Sequence, residues 1–243
     1  MKRLEHGTDP PLSERSRPLP AVFENDHGPS VPVDDVIAAF RAGSPVLIHD
    51  ASDREGETDL VYPARAVTPA IVTRLRNDAG GLICVAVADR VARHWRLPFL
   101  HETLDHPATA NHDLEYDERS SFSLTVNHRD THTGVTDEDR ARTIATIGTA
   151  AAAPETLEFA KTFRTPGHVH LLRAAPDLLA DRQGHTELGV ALAVAAELPP
   201  AVVVCEMLDD ETGRARSPAS AKTYADQNGV HYVEGARLVD RFG

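Results

Sequence analysis

Lysine, cysteine and long apolar runs are scarce in this 243-residue chain, and each scarcity excludes something. Only two cysteines occur, Cys84 and Cys205, each inside an apolar run and neither in a Cys-x-x-Cys pair. That pattern excludes a cysteine-type structural zinc site and predicts buried thiols in a reducing compartment, not a disulfide. No apolar run approaches the roughly 18 residues that a membrane helix needs. The first twenty residues carry Lys2, Arg3, Glu5, Asp9 and four prolines but no apolar signal core, so a cytoplasmic protein is expected. Lysine occurs only at Lys2, Lys161 and Lys222, and the formal net charge is −12. Such a balance opposes a general nucleic-acid binder, whose affinity comes from neutralising phosphates. An acidic, lysine-poor surface suits a high-salt cytoplasm, although a GC-rich genome also favours arginine over lysine. The salt reading expects stability to change between dilute and molar potassium chloride.

Residues 1–30 are rich in proline, glycine and charge without sustained periodicity, which predicts an extended or mobile tail. From 31 to 243 strand-like and helix-like segments alternate, predicting a layered α/β or α+β architecture. Short strands are expected at 45–49, 82–87, 122–127, 169–172 and 201–207. Helices are expected at 33–42, 70–79 (stopped by Gly80 and Gly81), 88–96, 186–198, 219–228 and 234–242. A further helix opens at Thr136, with Asp139 three places on, as in a capping box. Residues 98–119 form a long polar connection with three histidines, a length that marks a functional or mobile loop. There is no internal repeat.

Four segments carry chemistry. Asp53-Arg54-Glu55-Gly56-Glu57-Thr58-Asp59 follows the apolar run 45–48 and crowds four carboxylates and a guanidinium into seven residues. That density favours a cation or a polyol among the acids, or else a solvated acidic turn. Arg182-Gln183-Gly184-His185-Thr186-Glu187 immediately precedes an apolar helix, whose N-terminus suits an anion. His185, on the loop side of that boundary, could ligate a metal or move a proton; the bland reading is a helix start capped by Thr186. Thr165-Pro166-Gly167-His168 is a rigid turn leading into a strand, with His168 an acid–base candidate or a surface residue. Glu206 ends the apolar run 201–205, where a carboxylate must be paired, protonated or exposed into a cleft. The thirteen histidines do not add up to a zinc site: His128 and His132 have helical spacing but fall in a turn-rich stretch.

Taken in order, these segments resemble the 3,4-dihydroxy-2-butanone 4-phosphate synthases, which make the four-carbon unit of riboflavin. The carrying motifs are Asp-Arg-Glu-x-Glu-x-Asp-Leu at 53–60, Gly-Leu-Ile-Cys at 81–84 and Thr-Gly-Val-Thr-x-x-Asp-Arg-Ala-x-Thr-Ile at 133–144. They continue with Thr-Pro-Gly-His at 165–168, Arg-x-Gly-His-Thr-Glu at 182–187 and Pro-Pro-Ala-Val-Val-Val-Cys-Glu at 199–206. The match covers residues 31–240. It departs in a thinner acidic run at Ala51 and Ser52, and in Thr165 where an arginine is usual. The insertion at 105–119 is like that of the archaeal branch.

The resemblance implies a lyase that converts D-ribulose 5-phosphate to 3,4-dihydroxy-2-butanone 4-phosphate and formate with Mg2+ or Mn2+. It implies Glu55 and His185 as metal ligands, and His168 and Glu206 as the proton-transfer residues. Arg54, Glu55, Asp59, Cys84, Thr133, Arg182, Gln183, Gly184, His185, Thr186 and Glu206 would contact the sugar phosphate, with Cys84 equally readable as a small buried strand residue. It also implies a single α+β (layered α/β) domain over 31–243, with a mixed β-sheet core flanked by helices, and a homodimer with the site near the subunit boundary and His168 reaching across. The alternative is a sugar-phosphate or nucleotide-binding module of the same fold without turnover.

Overall fold

Runs of β-branched and small apolar residues form the central strands, because side chains buried on both faces of a sheet need not alternate with polar ones. In the computed structural model, residues 31–109, 117 and 119–243 are described; the tail expected over 1–30 lies outside them. The strands are β1 (Val46–His49), β2 (Thr58–Pro63), β3 (Cys84–Val87), β4 (Phe122–His128), β5 (Phe163–Arg173), β6 (Ala201–Val204), β7 (Leu208–Asp209), β8 (Arg214–Ala215) and β9 (His231–Glu234). The helices are α1 (Val33–Arg41), α2 (Pro69–Arg74), α3 (Asp89–His94), α4 (Leu100–Thr103), α5 (Asp137–Ala150), α6 (Phe159–Thr162), α7 (His185–Ala195), α8 (Pro218–Asn228) and α9 (Gly235–Phe242).

Seven strands make one mixed sheet in the order β4-β5-β3-β6-β2-β1-β9, and β7 and β8 pair as a separate ribbon. The β1–β9 and β3–β5 pairs are parallel, and the others in the sheet are antiparallel. Strands β1, β2, β3 and β6 are buried at every residue. Helix α7, itself buried from His185 to Ala193, packs on β1, β2, β3 and β6 beside α1 and α9. An apolar helix covered on all sides belongs in a domain core. Helix α5 packs on β4, β5 and β6. The expected mixed sheet with flanking helices is therefore present.

Several expectations need correction. Strands β2 and β9 were not expected. β2 is buried throughout yet carries Asp59 and ends in proline, so its apolar pattern is broken by a buried carboxylate. β5 begins six residues earlier than the expected 169–172 and takes in Thr165–His168, which bulge at the register shift between the pairs Asn127↔Arg164 and Val126↔Val169. The 98–119 connection contains α4 and a 3₁₀ turn, Pro107–Thr109; residues 110–116 and 118 lie outside the described set. Thr136 does cap α5, its hydroxyl accepting from the Asp139 amide at 3.1 Å. The second arm of the capping box is absent: the Asp139 carboxylate turns back to accept from the Gly134 amide at 2.8 Å.

Candidate active site

Three elements end at one place. β1 runs out at His49 into the acidic loop 50–57, which returns as β2 at Thr58. The far end of β6 lies beside the start of β2: the Leu60 amide donates to Cys205 O at 2.8 Å and the Met207 amide to Thr58 O at 2.8 Å. Asp59 and Glu206 thereby face one another as an isolated antiparallel bridge. The N-terminus of α7 delivers His185 to the same spot.

The acidic loop is held by one of its own residues. Asp50, 2% exposed, accepts from the Glu55 amide at 3.2 Å and the Glu57 amide at 3.0 Å. This turns the Glu55 side chain onto His185, with Oε2 3.3 Å from Nδ1. The other ring nitrogen, Nε2, lies 3.2 Å from Ile48 O and 3.7 Å from Asp59 Oδ1. His185 is the first residue of α7 and Gly184 its N-cap, so both the loop-side placement of His185 and the capping by Thr186 are corrected. A Cβ at position 184 would stand 2.3 Å from Arg182 Nη1, so the glycine lets that guanidinium lie against the start of α7.

These charges act strongly on one another. Burial disfavours a charged His185, but the Asp59 charge, the Glu55 contact and Asp50 outweigh it and push its pKa up to about 10. Burial is also the main force on Asp59, whose pKa is pushed up to about 8 with Glu206 and Glu55 adding to the rise. A hydrogen bond from His185 lowers Glu55 against the opposing effect of burial. Asp50, Glu55 and His185 offer ligand atoms within 4.8 Å of one another, the one such group among the described residues. Two carboxylates and one imidazole suit a hard or borderline divalent cation. Asp59 Oδ1 is buried without a hydrogen-bond partner beside them, so an uncompensated acceptor also faces the group. The residues present fit a divalent metal.

The pocket above this group is lined by Glu55, Asp59, Cys84, Arg182, His185, Thr186 and Glu206, with Arg119, Ser120, Ser121, Phe122, Leu172 and Val204. Glu206 is fixed by the Leu82 amide, which donates to Oε2 at 2.7 Å, and by the Gly81 amide, which donates to its carbonyl at 3.0 Å. A Cβ at position 81 would come within 2.4 Å of Glu206 Oε2, which explains the glycine of Gly-Leu-Ile-Cys. Cys84 lines the pocket and its thiol is pushed up by burial; Cys205 is buried behind it. Gln183 is outside the lining, bonded to Leu179 O at 3.5 Å. Arg54 sits beside the pocket, its Nη2 2.8 Å from Asp117.

Two expected residues are elsewhere. His168 is exposed on β5, two residues before the end of the β3–β5 pairing at Cys84↔His170. Its amide donates to Asn127 Oδ1 at 2.8 Å, and its Nδ1 is 3.1 Å from Asn127 Nδ2. The same Nδ2 donates to Thr133 O at 3.3 Å, so His168 and Thr133 share a second cluster organised by Asn127 and Asp139. Asp50, Asp117, Asn127, Arg119, Ser120 and Ser121 were missed as site residues. The one available signal was the length of the 98–119 connection, at whose end Asp117 to Ser121 stand.

Comparison with known proteins gives these features a common frame. The sequence pattern of the 3,4-dihydroxy-2-butanone 4-phosphate synthases matches residues 34–241. A protein of that name from Archaeoglobus fulgidus is 47% identical over 221 residues, covering 86% of this chain and 93% of its own. One from Methanosarcina mazei is 46% identical over 223 residues, covering 86% and 90%. The solved synthase of Candida albicans superposes with a TM-score of 0.73 at 28% identity, covering 88% of this chain and 98% of that one. A synthase solved with two magnesium ions gives 0.70 at 28%, covering 86% and 95%. The chain belongs to the 3,4-dihydroxy-2-butanone 4-phosphate synthase family.

Proposed function

We propose that the pocket between the acidic loop and α7 converts D-ribulose 5-phosphate to 3,4-dihydroxy-2-butanone 4-phosphate and formate, the riboflavin-forming reaction of the family, within a single catalytic domain spanning residues 31–243. The observation that carries this reading is the meeting of Glu55 and His185, 130 residues apart in sequence, at 3.3 Å beside Asp50 and Asp59. Glu55 and His185 would hold a divalent cation, Mg2+ or Mn2+, which would supply Lewis-acid polarisation of the substrate's carbonyl and adjacent hydroxyl. A solved relative contains magnesium, in keeping with such a group.

The chain's own residues do the rest. Arg54 and Arg182 offer guanidinium forks to the phosphate, which sets the sugar's orientation. Thr186, at the start of α7, adds a hydroxyl and a helix N-terminus to the same anion. Glu206, at the pocket edge with Oε2 already accepting from Leu82 N, holds or moves a proton at its carboxylate. Asp59, with its pKa pushed up to about 8, is positioned to donate from a protonated carboxyl to a substrate hydroxyl. His168 completes proton transfer from a partner subunit in a homodimer, which accounts for its exposure on the chain that bears it. No described helix is long and apolar enough to cross a membrane, in keeping with a cytoplasmic enzyme.

The test is formate release from ribulose 5-phosphate with Mg2+, then with excess EDTA. Formate that appears with metal and stops with chelator supports the reading. A folded protein that binds the sugar phosphate but never releases formate would replace it with a binding module.

A further inference from the structure

The acidic loop is tied mostly to itself. Asp50 bonds Glu55 and Glu57 within it, and the Arg54 amide donates to Ala51 O. Among the described residues, its side chains make two polar ties to the rest of the chain: Glu55 to His185, and Arg54 to Asp117. The second tie is a clasp. One oxygen, Asp117 Oδ2, accepts from Arg54 Nη2 at 2.8 Å and Arg182 Nε at 2.7 Å, and forms an ion pair with Arg182 Nη2 at 2.6 Å. All three side chains are largely buried, at 16%, 7% and 12% exposure for Arg54, Asp117 and Arg182. Arg182 is held from its other side by Glu187, whose fully buried carboxylate accepts from Nη1 at 2.6 Å and from the Ala175 amide at 2.9 Å.

An alternating series results: Asp50, Arg54, Asp117, Arg182, Glu187. Its outer members are fixed by backbone amides, so Asp117 decides how far the loop stands from α7. Without that carboxylate, two guanidiniums would face each other in a partly desolvated space, where like charges repel and burial of an uncompensated charge is costly. Glu55 is the next residue after Arg54, and His185 lies three after Arg182. The spacing set by the clasp is therefore inherited by the Glu55–His185 pair.

We propose that Asp117 is a positioning residue for the reaction: it bridges Arg54 and Arg182 so that the acidic loop presents Glu55 to His185 and both guanidiniums to the sugar phosphate. The inference rests on the reading of the pocket given above. It gives the last part of the 98–119 connection a role in the site, although no motif marks it.

The test titrates Mn2+ alone into wild type, Asp117→Asn and Glu55→Ala, followed by the loss of the six-line spectrum of the free ion. Formate kinetics at saturating Mn2+ follow. Asp117→Asn is expected to weaken Mn2+ binding about tenfold and to raise KM for ribulose 5-phosphate by about the same factor. At saturating Mn2+ its kcat is expected to stay within about threefold of wild type, because the proton-transfer residues are untouched. Asp117→Glu should recover part of the Mn2+ affinity. Unchanged affinity and KM in Asp117→Asn overturn the proposal. A lowered KM overturns it too, making Asp117 a competitor of the substrate's phosphate. If Asp117→Asn does not fold, Asp117→Ser is held to the same outcomes. Wild type that binds no Mn2+, or whose binding survives in Glu55→Ala, instead overturns the reading of the pocket and with it the proposal.

Discussion

Two clusters of polar residues are built by opposite means. The pocket group of Asp50, Glu55, Asp59, Arg182, His185 and Glu206 is largely enclosed, with His185 set between the Glu55 and Asp59 carboxylates. The Asn127 group, with Thr133, Gly134, Asp139 and His168, is a hydrogen-bonded cluster held mainly by backbone amides and one carboxylate, with the imidazole left in solvent. Enclosure makes the first group electrostatically loaded, so its ionisation states depend on each neighbour. The second is organised in shape and carries little electrostatic load. A preorganised charged centre and a presented side chain do different work, and changes to them should fail differently.

The largest expected effect lies in the loaded group. Glu55→Ala or His185→Ala should lower kcat/KM about 10³-fold or more, since metal-assisted polarisation goes with them. The check is formate release at saturating Mg2+ alongside an unchanged far-UV spectrum. Near-wild-type turnover in either variant would remove the metal assignment. Loss of His168 should be comparable in turnover but different in kind. His168→Ala should keep wild-type Mn2+ affinity, and mixing it with inactive Glu206→Ala should restore activity. Random exchange between two subunits gives half heterodimers with one intact site of two, hence about a quarter of wild-type activity. Equal parts that stay inactive after unfolding and refolding together would confine each site to one chain.

The loaded group was far more legible in the sequence than the presented one. Charge density at 53–59 and the Gly-His-Thr start of an apolar helix both mark a site, because buried charges need partners. The apolar runs before Asp50 and before Glu206 were enough to place two strands, each with an acid after it, but not to show that the two strand ends meet. Strand β2 was hidden because Asp59 interrupts its apolar pattern, and β9 because His231-Tyr232-Val233-Glu234 is short and mixed. The Asn127 group left no such trace. Asn127 reads as one more polar residue of an alternating strand, and Thr165 to His168 read as a turn, whereas they bulge from within β5 between Arg164 and Val169. Asp117 was invisible for a related reason: its partners stand 63 and 65 residues away.

A smaller effect is expected from the turn itself. Asp139 accepts from the amides of Gly134 and His132 and from the Thr133 hydroxyl, and the Gly134 bond is the main force holding its pKa down. Asp139→Asn keeps the volume but weakens those bonds, so residues 132–134 should loosen. A several-fold fall in kcat/KM with unchanged Mn2+ affinity is expected. If Mn2+ affinity falls instead, the two groups are not separable as described.

The electrostatic contrast also predicts a pH dependence in the metal-free protein. His185 has a folded pKa of about 10, above its ordinary 6.5, because Asp59, Glu55 and Asp50 together outweigh burial. Its contribution to stability is complete below pH 6.5 and is lost as pH rises through about 10. Asp59, raised from 3.8 to about 8 chiefly by burial, acts with the same sign in the window between those values. The melting temperature in EDTA should therefore fall steadily from pH 6 to pH 10. His185→Gln should flatten the upper part of that slope, whereas His168→Gln, in the presented cluster, should leave it unchanged. Metal displaces the His185 proton, so binding should strengthen over the same window and saturating Mg2+ should recover much of the lost stability. A slope that is equally steep in His185→Gln would mean the pocket charges are far better solvated than their burial implies.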